Sequence, residues 1–399
     1  MTDVPDPYTP GQVPRVLAGR EAELGLIRDQ ISRLATFGEL GGPLLVFHAP
    51  RGLGKTSLLR TAQRQAVEVG CVAVWVACSR DRPFLPELVH ATGRALERAE
   101  VPTGAAAGRR WRARLDKVSL ELGVPGLKIG GEMAARPESD SEPPPVADTA
   151  PIGALEDLLH DAANLARGRH GAGLVVFIDE LHAASSDDLS ILLNTVQNLD
   201  GEREDNPLAV ITAGLPVTPE AITRAATFGE RSAFVPLDVL SDADARSLLT
   251  VPAESLGVTW AADALELVTT ECRGHPYLLQ LLGSATWRAG DPADGDELTV
   301  DHVRAGIPAA RDQLDAMFRA RWASATPAEH AFIRAMAAVG TDNVTRAAIA
   351  TNLGQTSQSI SVPRERLIEK GVIEPVGHGL VRFTMPGFAD YVRDRAPDG

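Results

Sequence analysis

The sequence predicts an α/β fold in which a parallel sheet, covered by helices on both faces, is followed by an all-helical region and a smaller module of helices and strands. Three observations support this prediction. Short uninterrupted apolar runs alternate with helical patterns over the first part of the chain, as expected for parallel strands that are buried on both faces. A glycine-rich turn joins the first of these runs to a helix. The strand-like runs stop at about residue 240, and helical patterns continue to about residue 323.

The apolar runs predict the individual strands of the sheet. The predicted strands are Leu44–His48, Cys71–Cys78, Leu174–Asp179, Leu208–Thr212 and Ser232–Leu237. Before the first strand, apolar residues at helical spacing between Leu24 and Leu34 predict an amphipathic helix. Another helix is predicted over 86–100, between the second and third strands.

Composition and pattern divide the chain into four parts. They are a disordered leader (1–15), an α/β domain (16–239), a helical, lid-like domain (240–323) and a C-terminal module (324–399). Residues 103–150 interrupt the α/β pattern as an insertion. Alternating apolar residues from Val118 to Ile129 predict a β-hairpin there, and the Pro-, Ser- and acid-rich stretch up to Pro151 predicts a flexible linker.

The overall composition restricts the classes of function. The formal net charge of −14 argues against general affinity for nucleic acid, although a local basic surface remains compatible with it. The three cysteines are Cys71, Cys78 and Cys272; none has zinc-type spacing, so a reduced, cytoplasmic setting fits best. No secretory signal and no apolar run of bilayer-spanning length is present in the sequence, so we expect no membrane partner.

The glycine-rich turn from His48 to Thr56, HAPRGLGKT, has the pattern of a phosphate-binding loop (P-loop). It follows a buried strand and opens a helix, which is the context that such a loop needs. We expect backbone N–H groups at the helix start to face phosphate oxygens, Lys55 to reach the β and γ phosphates, and the Thr56 hydroxyl to bind Mg²⁺. Ala49 replaces the usual first glycine. The predicted nucleotide contacts are Pro50, Arg51, Gly52, Leu53, Gly54, Lys55, Thr56 and Ser57.

An acidic pair, Asp179 and Glu180, ends the third predicted strand. Beside a P-loop, we expect Asp179 to hold Mg²⁺ and Glu180 to act as general base toward the attacking water. A solvated acidic turn is the alternative interpretation. Thr212 at the end of the fourth strand is a candidate γ-phosphate sensor or, equally, a turn cap. Arg231 is a candidate arginine finger acting on a neighbouring subunit or, equally, a surface arginine beside Glu230.

These motifs together resemble the AAA+ and STAND branches of P-loop ATPases. The segment from Val16 to Leu24 contains Gly19-Arg20 and resembles the one that lines the adenine pocket in these families. Gly274-His275-Pro276 resembles the GxP motif of the STAND lid, whose proline packs against adenine. The resemblance implies ATP or ADP with Mg²⁺ as ligands, His275 and Pro276 as contacts, and nucleotide-dependent homo-oligomers. The helical repeats and effector domain of large STAND regulators have no counterpart in this sequence.

The C-terminal module resembles a winged helix-turn-helix. A helix capped by Thr326 and Pro327 is followed by helices over 345–353 and 355–369 and by two strands. The third helix and the wing present the predicted DNA contacts Gln358, Arg364, Arg366 and Arg382. Docking of a protein, instead of DNA, is the alternative. A second basic stretch, Arg109 to Arg114, suits nucleic-acid contact around Trp111, or forms a solvated helix with Trp111 packed on the domain.

The sequence leaves three hypotheses open. The first is a DNA-associated motor or loader, with an origin-recognition-like layout, whose ATPase is coupled to duplex DNA through the winged helix. The second is a STAND-type switch in which ATP/ADP exchange controls oligomerisation and the binding of a protein partner. The third, a nucleotide-binding scaffold with negligible hydrolysis, is disfavoured by Glu180, because binding alone needs no second carboxylate.

Overall fold

The computed structural model describes residues 4–80, 82–101, 108–109, 111, 113–115, 118, 151–341, 343–377 and 379–394. Most of the predicted hairpin and linker lies outside these residues. Val118, which the hairpin prediction included, is instead helical and buried. Pro151, predicted as the end of the linker, is the first residue of a helix. No helix within the described residues is long and apolar enough to cross a membrane.

The α/β domain is built on one parallel sheet. Its strands are β1 (Leu45–His48), β2 (Cys71–Ala77), β3 (Gly173–Asp179), β4 (Leu208–Gly214) and β5 (Ala233–Pro236). Its helices are α1 (Glu21–Phe37), α2 (Lys55–Glu68), α3 (Phe84–Arg98), α4 (Pro151–His170), α5 (Ser186–Gly201) and α6 (Thr218–Ala225). The strand order is β2-β3-β4-β1-β5, with all neighbours parallel. The predicted α/β fold and its strand positions are confirmed.

Both faces of the sheet are buried, which explains the uninterrupted apolar runs. Along β3, Leu174, Val176 and Ile178 belong to one apolar core, whereas Val175 and Phe177 belong to the core on the opposite face. Alternate side chains of a strand point to opposite faces, so a strand covered on both sides has no polar positions. The carboxyl ends of β1 and β3 lie at the same edge, and the P-loop and acidic pair follow them there.

The lid-like domain follows the sheet and is mostly helical, as predicted. Its elements are α7 (Asp242–Glu254), β6 (Thr259–Trp260), α8 (Ala262–Cys272), α9 (Pro276–Gly290), β7 (Glu297–Leu298) and α10 (Val300–Ala323). Ser241 caps α7 by accepting a hydrogen bond from the N–H of Asp244. The short parallel pair of β6 with β7 was not predicted.

The prediction of a disordered leader over 1–15 is wrong for the described residues that follow Asp3. Tyr8 is 3% exposed and lies in the lid core, where its hydroxyl donates to the carbonyl of Leu249 (2.6 Å) and accepts from Trp260 (2.8 Å). Asp6 accepts a hydrogen bond from Ser284. A Pro-rich, acidic composition favours disorder only when no apolar residue finds a partner, and Tyr8 finds two indoles in the lid.

The C-terminal module has the three helices and the following strand pair that the sequence predicts. Its elements are α11 (Pro327–Val339), β8 (Val344–Thr345), α12 (Arg346–Asn352), α13 (Ser361–Glu369), β9 (Ile373–Gly377), β10 (Leu380–Phe383) and α14 (Phe388–Asp394). Its antiparallel sheet has the order β8-β10-β9. Thr326 and Glu329 form a capping box at α11, which confirms the predicted helix start. The third predicted helix is shorter than expected, and α14 was not predicted. The module and the lid share one apolar core.

Candidate nucleotide-binding site

The turn between β1 and α2 has the backbone of a phosphate loop. Gly52 and Gly54 have φ values of 87° and 85°, a region that residues with a Cβ rarely adopt. Gly54 is the residue before the first turn of α2, so the N–H groups of that turn face the loop. Ala49 is not among the residues with positive φ, so replacing the usual glycine causes no backbone strain.

Lys55 lies inside this loop. Its side chain is buried, and Nζ donates to the carbonyl oxygens of Ala49 (2.9 Å) and Pro50 (2.8 Å). Burial lowers the pKa of Lys55 to about 8, and the carboxylates of Glu180 and Asp179 oppose this shift. A buried ammonium group that now donates to neutral carbonyl oxygens would form stronger hydrogen bonds with an anion. The site therefore fits a phosphate group, as the sequence predicts.

Thr56 and the acidic pair form the second half of the site. Thr56 Oγ1 donates to Asp179 Oδ2 at 2.6 Å, and the N–H of Glu180 donates to Asp179 Oδ1 at 2.9 Å. Burial raises the pKa of the Asp179 carboxyl, while the hydrogen bond from Thr56 lowers it. Two adjacent oxygen donors beside a phosphate site fit Mg²⁺, which takes few protein ligands and keeps waters and phosphate oxygens. Ser57, the last of the predicted nucleotide contacts in the loop, is the third residue of α2.

Glu180 has a strained backbone and two neighbours for its carboxylate. Its φ of 55° is in the left-handed region, which non-glycine residues occupy at a cost of about 1–3 kcal/mol. Its Oε2 atom lies 3.8 Å from the Arg51 guanidinium and 3.5 Å from Nε2 of His182. The carboxylate is therefore held beside the phosphate loop, where a general base for an attacking water is needed.

The lid contacts the phosphate loop through His275. A Cβ at Gly52 would lie 2.6 Å from Cε1 of His275, so the ring occupies the space that a side chain would fill. The N–H of Tyr277 also donates to the carbonyl of Gly52 at 3.3 Å. Pro276, between these two residues, begins α9. The structure thus brings the predicted His275-Pro276 turn to the loop.

The ring of His275 has unused hydrogen-bonding capacity. It is 3% exposed, and within the described part of the chain neither ring nitrogen meets hydrogen-bonding geometry. Burial lowers its pKa to about 4, helped by the charge of Arg321, whereas the backbones of His275 itself and of Arg51 act in the opposite direction. Buried polar atoms without a partner are costly. His275 therefore marks a place where a bound ligand or water adds hydrogen bonds.

Gly19 and Arg20 lie next to the loop, as the resemblance implies. The buried Arg20 guanidinium donates to the carbonyls of Leu53 (3.2 Å) and Asp238 (2.6 Å). A Cβ at Gly19 would lie 2.7 Å from the side chain of Asp244 in α7. Arg20 thus supports the loop and joins it to the segment that leads into the lid.

Residues 16–211 match the family described as AAA ATPase domain. The match covers just under half of the chain, and it identifies residues 16–211 as similar to AAA ATPase domains. The match ends within β4, and β5 pairs with β1 in the same sheet, so we use the name AAA ATPase domain for the whole α/β unit. Residues 315–392 match a family described as a domain of unknown function, DUF8462. No curated protein matches the chain significantly.

Several solved structures are similar over nearly the whole chain. They include the Orc1 protein of Aeropyrum pernix in complex with DNA (14% identity, 97% of this chain and 95% of that chain, TM-score 0.44). Cdc6p from Pyrobaculum aerophilum has 12% identity over 97% and 95% of the two chains, with a TM-score of 0.45. The Thermotoga maritima RuvB Holliday junction branch migration motor has 13% identity over 96% and 99%, with a TM-score of 0.47. Values this low give no evidence about activity or partners.

The two remaining catalytic candidates of the AAA ATPase domain differ in exposure: Thr212 is buried and Arg231 is exposed. Thr212 is not at the end of its strand, because β4 continues to Gly214. Its hydroxyl is fully buried and donates to the carbonyl of Leu45 at 3.2 Å, so the role of a γ-phosphate sensor does not fit it. Arg231 is exposed just before β5, with its guanidinium 5.5 Å from the Phe228 ring. It remains a candidate for contact with another subunit.

The predicted nucleic-acid contacts also differ in their surroundings. Gln358 and Arg366 are exposed. Arg364 is partly buried, which lowers its pKa. Arg382 pairs with the buried Glu374 at 2.5 Å and faces a cavity.

The basic stretch around Trp111 fits the alternative interpretation, in which Trp111 packs on the domain. Trp111 is 4% exposed and lies in a core of the AAA ATPase domain. Arg114 pairs with Asp157 (2.8 Å) and Asp161 (2.7 Å). The aromatic ring is therefore unavailable for stacking with a base.

A cavity of about 780 Å³ separates the phosphate loop, the lid and the C-terminal module. Pro50, Leu53 and His275 line it on the side of the loop, and Glu374 and Arg382 line it on the side of the module. Its volume is in the range of ligand pockets. The C-terminal module is therefore part of the surroundings of the nucleotide site.

Sequence reasoning missed three residues of this site: His182, Arg321 and Glu374. His182 lies three residues after the end of β3, so its position after the acidic pair could have suggested it. Arg321 and Glu374 come from the lid and the C-terminal module, and no local pattern places them near the loop. Burial and the neighbouring charge of Arg51 lower the pKa of Arg321 to about 10. Burial raises the pKa of Glu374, which Arg382 opposes.

Proposed function

We propose that the protein binds Mg-ATP at the phosphate loop and hydrolyses it slowly, and that the nucleotide state controls how the C-terminal module sits on the AAA ATPase domain. The docking of that module beside the loop is the supporting observation. A Cβ at Gly371 would lie 3.4 Å from Nε of Arg51, and Arg80 donates to the carbonyl of Glu369 at 3.0 Å. A phosphate bound at Lys55 would therefore lie close to the contact between the C-terminal module and the AAA ATPase domain.

The residues of the site have distinct roles in this proposal. Lys55 exchanges its carbonyl partners for phosphate oxygens, and the N–H groups of the first turn of α2 bind the same phosphates. Thr56 and Asp179 hold Mg²⁺, which neutralises charge on the phosphate oxygens. Glu180 orients the attacking water and accepts its proton.

Charge links the nucleotide to the C-terminal module. Glu374 is 5% exposed, and it is close enough to Lys55 that each affects the pKa of the other. A γ-phosphate adds negative charge beside this buried carboxylate, and like charges repel strongly where water is excluded. We therefore infer that ATP loosens the docked module and that ADP permits docking. This favours the switch hypothesis, with a protein partner as the class of ligand for the released surface.

Two measurements on the full chain test the proposal. Steady-state ATP hydrolysis is expected in the wild type and lost by about 10²-fold or more in Glu180→Gln, with nucleotide affinity retained. Hydrogen exchange of α13 and β9 is expected to be faster with ATP bound to Glu180→Gln than with ADP. Absence of hydrolysis in the wild type contradicts the enzymatic part. Equal exchange with both nucleotides contradicts the switch.

A second candidate function is duplex-DNA binding. Two predicted contacts favour it because they are exposed: Gln358, which lies just before α13, and Arg366, which lies within it. Fluorescence anisotropy with labelled duplex DNA tests it directly. Binding that weakens with salt and is reduced in Arg366→Ala supports DNA as a partner. Glu365→Gln, at the neighbouring exposed position, removes a negative charge and should strengthen the binding instead. No binding at low salt excludes this candidate.

Arg231 gives a test for homo-oligomers. An exposed arginine that acts on a neighbouring nucleotide makes specific activity depend on protein concentration. We expect specific activity to rise with concentration in the wild type and to stay flat and low in Arg231→Ala. Arg224, another exposed arginine, which pairs with Glu220 within α6, is the matched control.

A further inference from the structure

His182 connects the catalytic carboxylate to the end of β4. It lies in the short 3-10 turn Leu181–Ala183 that follows Glu180, and its side chain is only 3% exposed. Its Nδ1 atom lies 3.4 Å from the N–H of Leu215, which donates to it. Its Nε2 atom lies 3.5 Å from Oε2 of Glu180. The ring thus bridges two segments at the edge of the sheet.

These contacts determine the tautomer of the ring. A backbone N–H only donates, so Nδ1 must carry no proton. Burial and the charges of Arg51 and Lys55 keep the imidazole neutral at pH 7, because they lower its pKa to about 4. Its single proton is therefore on Nε2, the atom next to the Glu180 carboxylate. A small rotation brings this N–H within hydrogen-bonding distance of Oε2.

Both neighbours of the carboxylate use the same oxygen atom. The Arg51 guanidinium and His182 Nε2 each approach Oε2 of Glu180, which leaves Oε1 for a water molecule. A carboxylate held through one oxygen presents the other in a fixed direction. This is the requirement for a general base, whose efficiency depends on geometry before pKa.

Arg51 and Leu215, the residue that donates to His182, both lie next to the C-terminal module at one residue. A Cβ at Gly371 would lie 3.2 Å from Cδ1 of Leu215 and 3.4 Å from Nε of Arg51. Gly371 follows α13, is buried, and has a φ of 66°. The module therefore packs on the residue that donates to His182 and on the arginine that holds Glu180.

We propose that His182 is a positioning residue that fixes the Glu180 carboxylate for its role as general base and makes that position depend on docking of the C-terminal module at Gly371. This inference rests on the proposed hydrolysis by Glu180. The chain of contacts runs from Gly371 to Leu215, then to His182, and then to Glu180. Displacement of the module moves the N–H that orients the ring.

The first test compares His182→Leu with His182→Gln in steady-state hydrolysis and nucleotide binding. Leucine has a similar size and no polar atom, whereas glutamine offers an amide that can donate to Glu180. We expect kcat to fall about tenfold in His182→Leu and to recover to within about threefold of wild type in His182→Gln. The affinity for ATP, measured with a fluorescent analogue, should stay within about twofold in both variants.

A merely structural role of His182 gives a different result. It would lower nucleotide affinity together with kcat, and glutamine would not restore activity. An unchanged kcat in His182→Leu also overturns the proposal. The Glu180→Gln variant separates this failure from that of the proposed function. If Glu180→Gln hydrolyses ATP like the wild type, the base assignment itself is wrong; if it is inactive while His182→Leu is normal, only the role of His182 is wrong.

The second test concerns the link to the module. Gly371→Ala places a methyl group against Leu215 and Arg51, so kcat should fall threefold or more. Gly354 is the matched control, because it lies in the same module with a φ of 64° and has no atom within 4 Å of its Cβ position. Both substitutions impose the same backbone strain, and only Gly371→Ala disturbs the contact.

A double-mutant cycle then assigns the path. In the His182→Leu background, Gly371→Ala should have little further effect on kcat, because the residue that transmits the displacement is gone. Full additivity of the two effects, or an equal loss of kcat in Gly354→Ala, contradicts the link between docking and Glu180.

Discussion

Two buried histidines lie beside the phosphate loop, and their hydrogen bonding differs. The His182 side chain and the whole His275 residue are each 3% exposed, and burial lowers the pKa of each ring to about 4. His182 accepts from Leu215 and faces Glu180, whereas His275 packs its ring on Gly52 with neither nitrogen in hydrogen-bonding geometry within the described residues. A ligand can only rearrange the contacts of the first ring, but it can add hydrogen bonds to the second. Two rings with similarly lowered pKa values can therefore have opposite roles.

The largest effect is expected from filling the space that His275 occupies. Gly52→Ala and Gly54→Ala both force a Cβ onto a backbone with φ near 86°, which costs about 1–2 kcal/mol each. Gly52→Ala must also displace the His275 ring, at about 1–3 kcal/mol more, whereas Gly54 has no atom within 4 Å. Urea unfolding midpoints without nucleotide measure the difference. Equal midpoints would show that the lid does not pack on the loop.

A drop in pH should destabilise the protein through both rings. The folded pKa of about 4 is below the ordinary 6.5, so the unfolded chain binds protons first. Stability contributed by each neutral ring is therefore lost as pH falls from 6.5 toward 4, by about 1.5 kcal/mol per ring between pH 6.5 and pH 5. Urea unfolding of the wild type and His275→Leu at both pH values measures this loss. It should be smaller in the variant by about that amount.

Comparing the wild type with His275→Leu at both pH values cancels the contributions of other titratable groups to the pH dependence of stability. Asp179 and Glu374 have raised pKa values and act in the opposite direction, since a raised carboxyl pKa favours the folded state at low pH. These carboxyl groups remain in His275→Leu. An unchanged pH dependence in that variant would show that the ring of His275 is already solvated or paired in the folded protein.

Local rules in the sequence predict the central parts of the site. Lys55 and Thr56 begin a helix after a buried strand, and Asp179 ends a buried strand, so adjacent residues define each position. The five strands of the sheet are confirmed for the same reason. Thr212 was misplaced because the apolar run of β4 continues through two small residues that carry no strong strand signal, Ala213 and Gly214.

The contacts that sequence reasoning missed join residues far apart in the chain. Tyr8 is buried by Trp260 and Leu249, and no pattern near Tyr8 indicates those partners. Gly371 and Gly354 have similar local surroundings, since each follows a helix and each has a positive φ. Only the packing of the module on the AAA ATPase domain distinguishes them. The role of His182 also depends on such packing, because Leu215 lies on another strand end.

The smallest effect, and the sharpest test of the comparison, is the sign of two substitutions at pH 7. His182→Leu leaves the N–H of Leu215 without its acceptor, which should cost about 1–3 kcal/mol of unfolding free energy. His275→Leu removes two nitrogens without partners and keeps a similar volume, so it should be neutral or stabilising by up to about 1 kcal/mol. Urea unfolding of nucleotide-free protein measures both. If His275→Leu destabilises as much as His182→Leu, the His275 ring nitrogens already have partners, and a bound nucleotide has no unmet hydrogen bond to satisfy there.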